Sequence, residues 1–391
     1  MVCAGDVGVV GAVNVRKSCR GVRVGGKKYG RECVFFRNSA STPKISLMRK
    51  LPPSILVICF FLRGYGQTDS LAVMLKEGVR LNDQGDYTGA IARYDAILAK
   101  NDRYFSAYVE KTITLAQSGR YQDCVDLSQR LIKEFPNGKG FEHVYDTYGS
   151  AMDALGKPDE AIRIYEEGIQ KFPDFYLLPF NKGMTEFSQK KNGAAIIDYE
   201  TAIRLHPGHA SSHLYLAYAV YPANRMAAAM AMATFMLLEM EGPRAQKNLP
   251  LLLKMLGGNV EKKDDQQIKI TMSSDAADTS KKEDDFRVTE LMMGLMTASA
   301  MGAKAKDTSA IKQLTVKLEV LGIANPEKKG FFTHTYVPFF AGLKKADLLE
   351  VAAHLIYWSS GDEDNQRWLK RHAGKMDDLE KYLHNWMEPV H

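Results

Sequence analysis

Residues 85–98 read "GDYTGAIARYDAIL", and residues 119–132 read "GRYQDCVDLSQRLI". The two stretches stand 34 residues apart. Gly85 aligns with Gly119, Tyr87 with Tyr121, Ala90 with Cys124 and Ile97 with Leu131. A third copy, "GKPDEAIRIYEEGI", opens at Gly156 after a three-residue insertion. A fourth, "KKNGAAIIDYETAI", sets Ala195 34 residues after Ala161, and a degenerate fifth puts Ala229 another 34 on. A period of this length marks a repeat protein, in which one unit cannot bury its apolar face and several must stack.

Numbering each unit so that these alanines and Cys124 fall at position 20, position 8 is Gly78, Gly149, Gly183 and Ala217. Position 24 is Tyr94, Tyr165 and Tyr199, and position 32 is Pro136, Pro173 and Pro207. Small residues let two helices approach closely. The tyrosine fills space between units, and proline, without an N–H, ends a helix. Over about residues 71–243 the pattern resembles the tetratricopeptide repeat family. Position 4 departs from it, with Met74, Tyr108, Tyr145, Pro179 and His213 where that family has tryptophan. In unit 5, Ala233 replaces the aromatic. The resemblance implies an all-α α-solenoid of about five helix–turn–helix repeats whose first helices line a concave groove. A diffuse likeness to secreted repeat proteins of Bacteroidetes-type bacteria names no activity.

In that family positions 2, 5, 9 and 12 face the groove. Here they give Leu177, Phe180, Met184 and Phe187 in repeat 4, and Leu214, Tyr218 and Tyr221 in repeat 5. Repeat 3 offers His143, Asp146, Ser150 and Asp153. The family's Lys/Asn clamp for chaperone tails is missing, because Leu75, Val79, Val109 and Ile113 hold positions 5 and 9. The expected partner is an apolar peptide or helix anchored on the aromatic wall. The competing expectation is that the chain's own C-terminal half covers that wall, since large apolar patches seldom stay bare.

Residues 245–256 predict a closing helix stopped at Gly257 and Gly258, so the solenoid is expected over 71–257. Residues 258–285 read as a polar linker with a short strand near 268–272. Helical patterning returns in 286–391, with one helix capped by Gly322 and with Trp358, Trp368 and Trp386 as core bulk. An α-helical C-terminal region is therefore expected.

The start of the chain carries a second pattern. Met48, Arg49 and Lys50, the apolar run 55–62, and Gly64 and Gly66 before Gln67 have the anatomy of a cleaved signal peptide over 48–66. Eight apolar residues are too few to cross a bilayer core, which takes about 20. No stable membrane span is expected, and Cys59 lacks the small preceding residue of a lipidation site. Residues 1–47 lack helix or strand period and read as an upstream extension, with an organelle transit peptide as the rival reading. Export to the periplasm or the extracellular space follows; a cytoplasmic or organellar location is the alternative if the leader is no signal.

The chain has 52 basic and 46 acidic residues, a net +6. Residues 1–67 hold 12 of the basic and two of the acidic ones, which leaves −4 for the remainder. Nucleic-acid binding is not expected, because the basic excess lies in the leader. Four of the five cysteines lie there too. Cys124, at a small core position with nothing to lower its pKa, reads as packing.

Chemistry-bearing motifs are sparse. His206, His209 and His213 have a metal-like spacing, but Pro207-Gly208 marks an ordinary turn between repeats, and no metal site is assigned. "DEDNQRW" at 362–368 lacks the glycine and closing glutamate of a calcium loop and reads as a helix N-terminus. No catalytic residue and no cofactor are assigned. The expectation is a non-catalytic scaffold for protein–protein interaction. The alternative is an enzyme whose catalytic region lies in 286–391 and is recruited by the repeats.

Overall fold

The structure, a computed structural model, describes residues 23–24, 27–28, 58–135, 138–221, 223–239, 242–263, 267–271, 284–302, 309–323 and 329–388. Most of the 1–47 leader, the start of the expected signal (48–57), Pro136 and much of the expected linker (272–283) lie outside them. Within the leader the described residues form a two-rung ribbon, β1 (Arg23–Val24) with β2 (Lys27–Lys28). Among the described residues after it, the regular elements are helices apart from one further hairpin.

The chain divides into two compact units, residues 1–164 and 165–391. The first holds α1 (Ile58–Asp83), α2 (Tyr87–Lys100), α3 (Phe105–Gln117), α4 (Tyr121–Glu134), α5 (Phe141–Ala154) and the start of α6 (Pro158–Lys171). α1 to α5 pack in chain order, each on the next, and α3 also meets α5. Ala90, Tyr94, Ile97 and Ala107 are the buried centre of its first core.

Position 8 works as the sequence predicts. A Cβ on Gly78 would lie 2.5 Å from the Tyr94 ring, and one on Gly183 2.8 Å from the Tyr199 ring. Glycine at 8 thus seats the tyrosine at 24 of its own repeat, and burial of each such ring contributes about 2 kcal/mol. Cys124 is buried, its thiol 3.7 Å from the Thr147 carbonyl oxygen. Burial, the main cause, pushes that thiol up to about 11.

Position 15 carries the turn between paired helices. Gly85, Gly119 and Gly156 have φ of 84°, 77° and 76°, and Lys190 in repeat 4 is held at 62°. A left-handed lysine costs about 1 kcal/mol against glycine. Neighbouring repeats are tied by position 7 of one to position 25 of the one before. Lys111 pairs with Asp95 at 2.6 Å, and Gln129 donates to the Tyr148 hydroxyl at 2.8 Å. Lys182 reaches Glu166 at 3.7 Å. Such surface ties contribute only tenths of a kcal/mol each and act mainly on register.

The second unit begins within α6. Here α7 (Leu177–Ser188), α8 (Asn192–Leu205), α9 (Ala210–Val220) and α10 (Arg225–Leu238) are repeats 4 and 5, and α11 (Pro243–Gly257) closes them. Then come β3 (Asn259–Lys262) and β4 (Ile268–Thr271), an antiparallel pair. The remaining helices are α12 (Arg287–Gly302), α13 (Ala310–Leu321), α14 (Phe331–Lys345), α15 (Leu349–Ile356), α16 (Glu363–Arg371) and α17 (Ala373–Met387).

One core runs from Phe180 to Leu383, so the repeats and the C-terminal helices share a single interior. Its centre is α10, in which every residue is buried. The sequence "RMAAAMAMATFMLL" has no polar face, so the helix must be enclosed on all sides. α9, α11, α12, α14 and α15 all pack on it. Its alanines permit the close approach, and methionines fill the irregular gaps. Ala233, where the repeat pattern expects an aromatic, is fully buried in this assembly. The expected linker is more structured than its composition suggests: the β3–β4 hairpin packs on α12, with Ile270 against Gly294. The three tryptophans are half-buried at the margin of the core.

Candidate functional site

The predicted groove residues separate into two groups. Phe180 and Leu214 are each 3% exposed and belong to the core. The Phe180 ring lies 4.6 Å from His209, edge to face, and 6.0 Å from both Tyr199 and Tyr215. As accessible anchors these two are therefore corrected: the shared interior of the second unit has absorbed them. Leu177, Met184, Phe187, Tyr218 and Tyr221 are half-buried and packed against that core.

α11 takes the place of a further first helix. Arg244 stands 34 residues after Ala210, so the closing helix continues the repeat register. Tyr218 donates its hydroxyl to Asn248 Oδ1 at 2.6 Å. Arg244 Nη1 donates to Ser211 Oγ at 3.0 Å and is ion-paired with Glu239. Positions 2 and 9 of repeat 5 are thus bridged by polar side chains from α11, which fixes the Tyr218 ring. Sequence reasoning misses Arg244 and Asn248, although the 34-residue spacing points to them.

Beside this row lies a charged cluster. Lys182 Nζ is 3.1 Å from Asp198 Oδ2 and 3.3 Å from Glu186 Oε1. Burial works against the ammonium, but Asp198 and Glu186 outweigh it and hold its pKa above the ordinary value. Burial is also the main cause that pushes Asp198 up to about 7; Lys182 opposes it and a hydrogen bond with Glu186 adds to it. The buried Glu186 Oε2 has no hydrogen-bond partner. A proton on Asp198 supplies the hydrogen for its bond with the Glu186 carboxylate. Desolvation of these charges offsets most of their mutual attraction, so the cluster contributes to register more than to stability.

The histidine trio does not make a metal centre. His213 Nε2 is 2.7 Å from the Pro207 carbonyl oxygen, and its Nδ1 is 2.7 Å from the Tyr336 hydroxyl. A carbonyl only accepts, so Nε2 bears the hydrogen and Nδ1 accepts from Tyr336. Neither nitrogen has a lone pair for a metal. His206 and His209 instead pack on Tyr176, at 4.5 and 4.9 Å. Among the described residues no group of three or more His, Cys, Asp or Glu could hold a metal ion. Asp362 accepts from the backbone N–H groups of Asp364 and Asn365, the N-cap expected in place of a calcium loop. No helix among the described residues is long and apolar enough to cross a membrane.

In the first unit, positions 5 and 9 of repeats 1 and 2 remain apolar, and His143, Asp146, Ser150 and Asp153 lie half-buried along α5.

The tetratricopeptide repeat family model matches residues 75–139 and 180–233. These segments are tetratricopeptide repeats, and the fold is all-α. Among solved structures the chain is similar to PilF of Pseudomonas aeruginosa, with a TM-score of 0.42, 17% identity, and coverage of 48% of this chain and 85% of that one. It is also similar to TTC0263, a tetratricopeptide repeat protein of Thermus thermophilus (0.40, 17%, 48% and 98%). A third is MamA of Desulfovibrio magneticus RS-1 (0.36, 18%, 44% and 96%). No curated protein matches the sequence.

Proposed function

We propose that the chain is a non-catalytic docking protein whose repeats 4 and 5 receive an apolar peptide or helix of a partner protein. The observation that carries this reading is the row Leu177, Met184, Phe187, Tyr218 and Tyr221. Each is anchored on the core and partly open. Tyrosine offers a large contact face with little entropy to lose, and methionine adapts its shape. Phe180 and Leu214 support the row from beneath.

The buried titratable groups of the C-terminal helices favour a scaffold over an enzyme, because each has a structural role. Glu290 is paired with Arg225 at 2.7 Å. His354 Nδ1 lies 2.5 Å from Asn365 Oδ1, and its ring stacks on Trp368 at 3.5 Å.

The test is a peptide-display selection on the full chain, followed by calorimetry against the triple variant Met184→Ser, Phe187→Ser, Tyr221→Ser. Anchors of this kind contribute about 1–2 kcal/mol each, so the variant loses at least about tenfold in affinity for the selected peptides. Selection of nothing, or equal affinity for both proteins, sinks the reading.

Residues 48–66 we read as an export signal, on their charge, apolar run and small-residue pair. Helix α1 already runs from Ile58. N-terminal sequencing of the protein from cells that export it is expected to begin at Gln67. A first residue well upstream of Thr68, Met48 included, overturns the proposal of a cleaved export signal.

A further inference from the structure

Helix α12 has the sequence "RVTELMMGLMTASAMG". From Leu291 to Gly302 it holds no charged residue. One face is buried with Thr289, Glu290 and Met293. On the opposite face, at 3.6 residues per turn, stand Val288, Leu291 and Leu295, which are 68%, 42% and 54% exposed. Ala298, half-buried, continues the line. The spacing 288, 291, 295, 298 alternates three and four, the seam of a helix that meets another helix. A solvated face at these positions would carry Lys or Glu.

The sequence on either side of α12 is short of apolar side chains. Residues 273–285 and 303–309 contain no apolar side chain larger than alanine. The two charges of α12 are also engaged: Arg287 with Asp285 at 2.6 Å, and Glu290 with Arg225. A charged partner gains no ion pair on this seam, and an identical copy meets no like-charge repulsion. An interfacial membrane helix needs a cationic polar face, and α12 lacks one.

We propose that α12 is a self-association seam, on which a second copy of the chain packs its own α12 in antiparallel. Leu291 of one copy then lies opposite Leu295 of the other, and Val288 opposite Ala298. The bulk of each layer is matched large to large at the centre and large to small at the ends. A parallel arrangement would set Arg287 beside Arg287 and align the two helix dipoles, whereas the antiparallel one opposes the dipoles. This inference is independent of the groove.

The test is sedimentation and light scattering of the full chain over a concentration series. The wild type is expected to double its mass as concentration rises. The variants Leu291→Glu/Leu295→Glu and Leu291→Lys/Leu295→Lys are each expected to stay monomeric, with unchanged helicity and tryptophan fluorescence. An equal mixture of the two variants is expected to regain the dimer, because glutamate of one chain then faces lysine of the other. This rescue separates a lost seam from a lost fold. A wild type that stays monomeric, a variant that dimerises by itself, or a mixture that fails to pair each overturns the proposal. Capture of monomeric wild type on phosphatidylcholine/phosphatidylserine vesicles, abolished by the same variants, overturns it as well.

Discussion

Replacing Gly322 with alanine lowers the stability of the second unit by about 2 kcal/mol or more. Gly322 follows α13, and its backbone lies against the backbone of α14. A Cβ there would sit 2.6 Å from the Ala341 nitrogen and 3.0 Å from both Ala341 Cα and the Phe340 carbonyl carbon. None of these atoms is the end of a side chain that could turn away. The two helices must separate, and Leu318, Leu321, Phe340 and Leu343, all fully buried, lose packing with them. Overpacking costs about 1–3 kcal/mol, and a backbone-to-backbone clash belongs at the top of that range. Alanine also removes freedom from the unfolded chain, which returns about 0.5–1 kcal/mol. The clash wins. Urea unfolding followed by tryptophan fluorescence isolates this unit, since Trp358, Trp368 and Trp386 all lie within it. The midpoint is expected to fall at constant slope. Gly374→Ala is the control: nothing lies within 4 Å of a Cβ at Gly374, near the start of α17, and its midpoint is expected to hold or rise. A Gly322→Ala protein as stable as the wild type would sink the account.

The same glycine marks where sequence reading stops. In the sequence it reads as a helix cap, and α13 does end there. Yet its φ is −82°, a conformation open to any residue. The need for glycine comes from a helix that passes close by, at a separation in sequence that no local pattern reveals. The repeats are legible because their physics is local: Gly78 and Tyr94 belong to one hairpin, and 34-residue spacing repeats the arrangement. Position 15 is legible for the same reason, with Lys190 showing that the turn geometry outlasts its glycine. α10 can be read as buried on all sides, but nothing in "RMAAAMAMATFMLL" says which helices enclose it. Phe180 and Leu214, groove residues by repeat position, lie in that same core, Phe180 against Tyr199, His209 and Tyr215 of its own and the next repeat. Of the 259–271 hairpin, the strand near 268–272 is legible, whereas its partner β3 escapes because "NVEK" is mostly polar; the contact of Ile270 with Gly294 sets the pair on α12.

His213 makes the second unit acid-sensitive, and its replacement is expected to remove one proton's share of that sensitivity. The ring is fully buried on α9, wedged between the Pro207 carbonyl and the Tyr336 hydroxyl, with Trp386 at 5.8 Å. Protonation would put a hydrogen on Nδ1, so that the Tyr336 hydroxyl must turn to accept it and its own hydrogen loses this acceptor. Burial is the main cause that lowers its pKa to about 4, and it lowers that of His209 to about 3. Unfolded, each titrates near 6.5. The stability they contribute is therefore complete above pH 6.5 and is lost as pH falls toward the folded values. Asp198 acts in the opposite direction: its folded pKa, raised to about 7, gives stability that is complete below the unfolded value near 3.8 and is lost as pH rises through 7. Between pH 6.5 and 4 the unfolded chain thus binds two protons on the histidines, and the folded chain binds one on Asp198. From these three groups the net is one proton, a slope of about 1.4 kcal/mol per pH unit, and His354, whose pKa burial also lowers, adds to it in the same direction. His213→Gln keeps one donor and one acceptor but cannot titrate, and it is expected to flatten the curve by that amount. His213→Ala strands both the Pro207 carbonyl and the Tyr336 hydroxyl and leaves a cavity, and at pH 7 it is expected to cost about 3 kcal/mol. Urea midpoints by tryptophan fluorescence from pH 7 to pH 4 measure both effects. A Gln variant whose stability falls with acid as steeply as the wild type's would show that the buried imidazole is not the group that takes the proton.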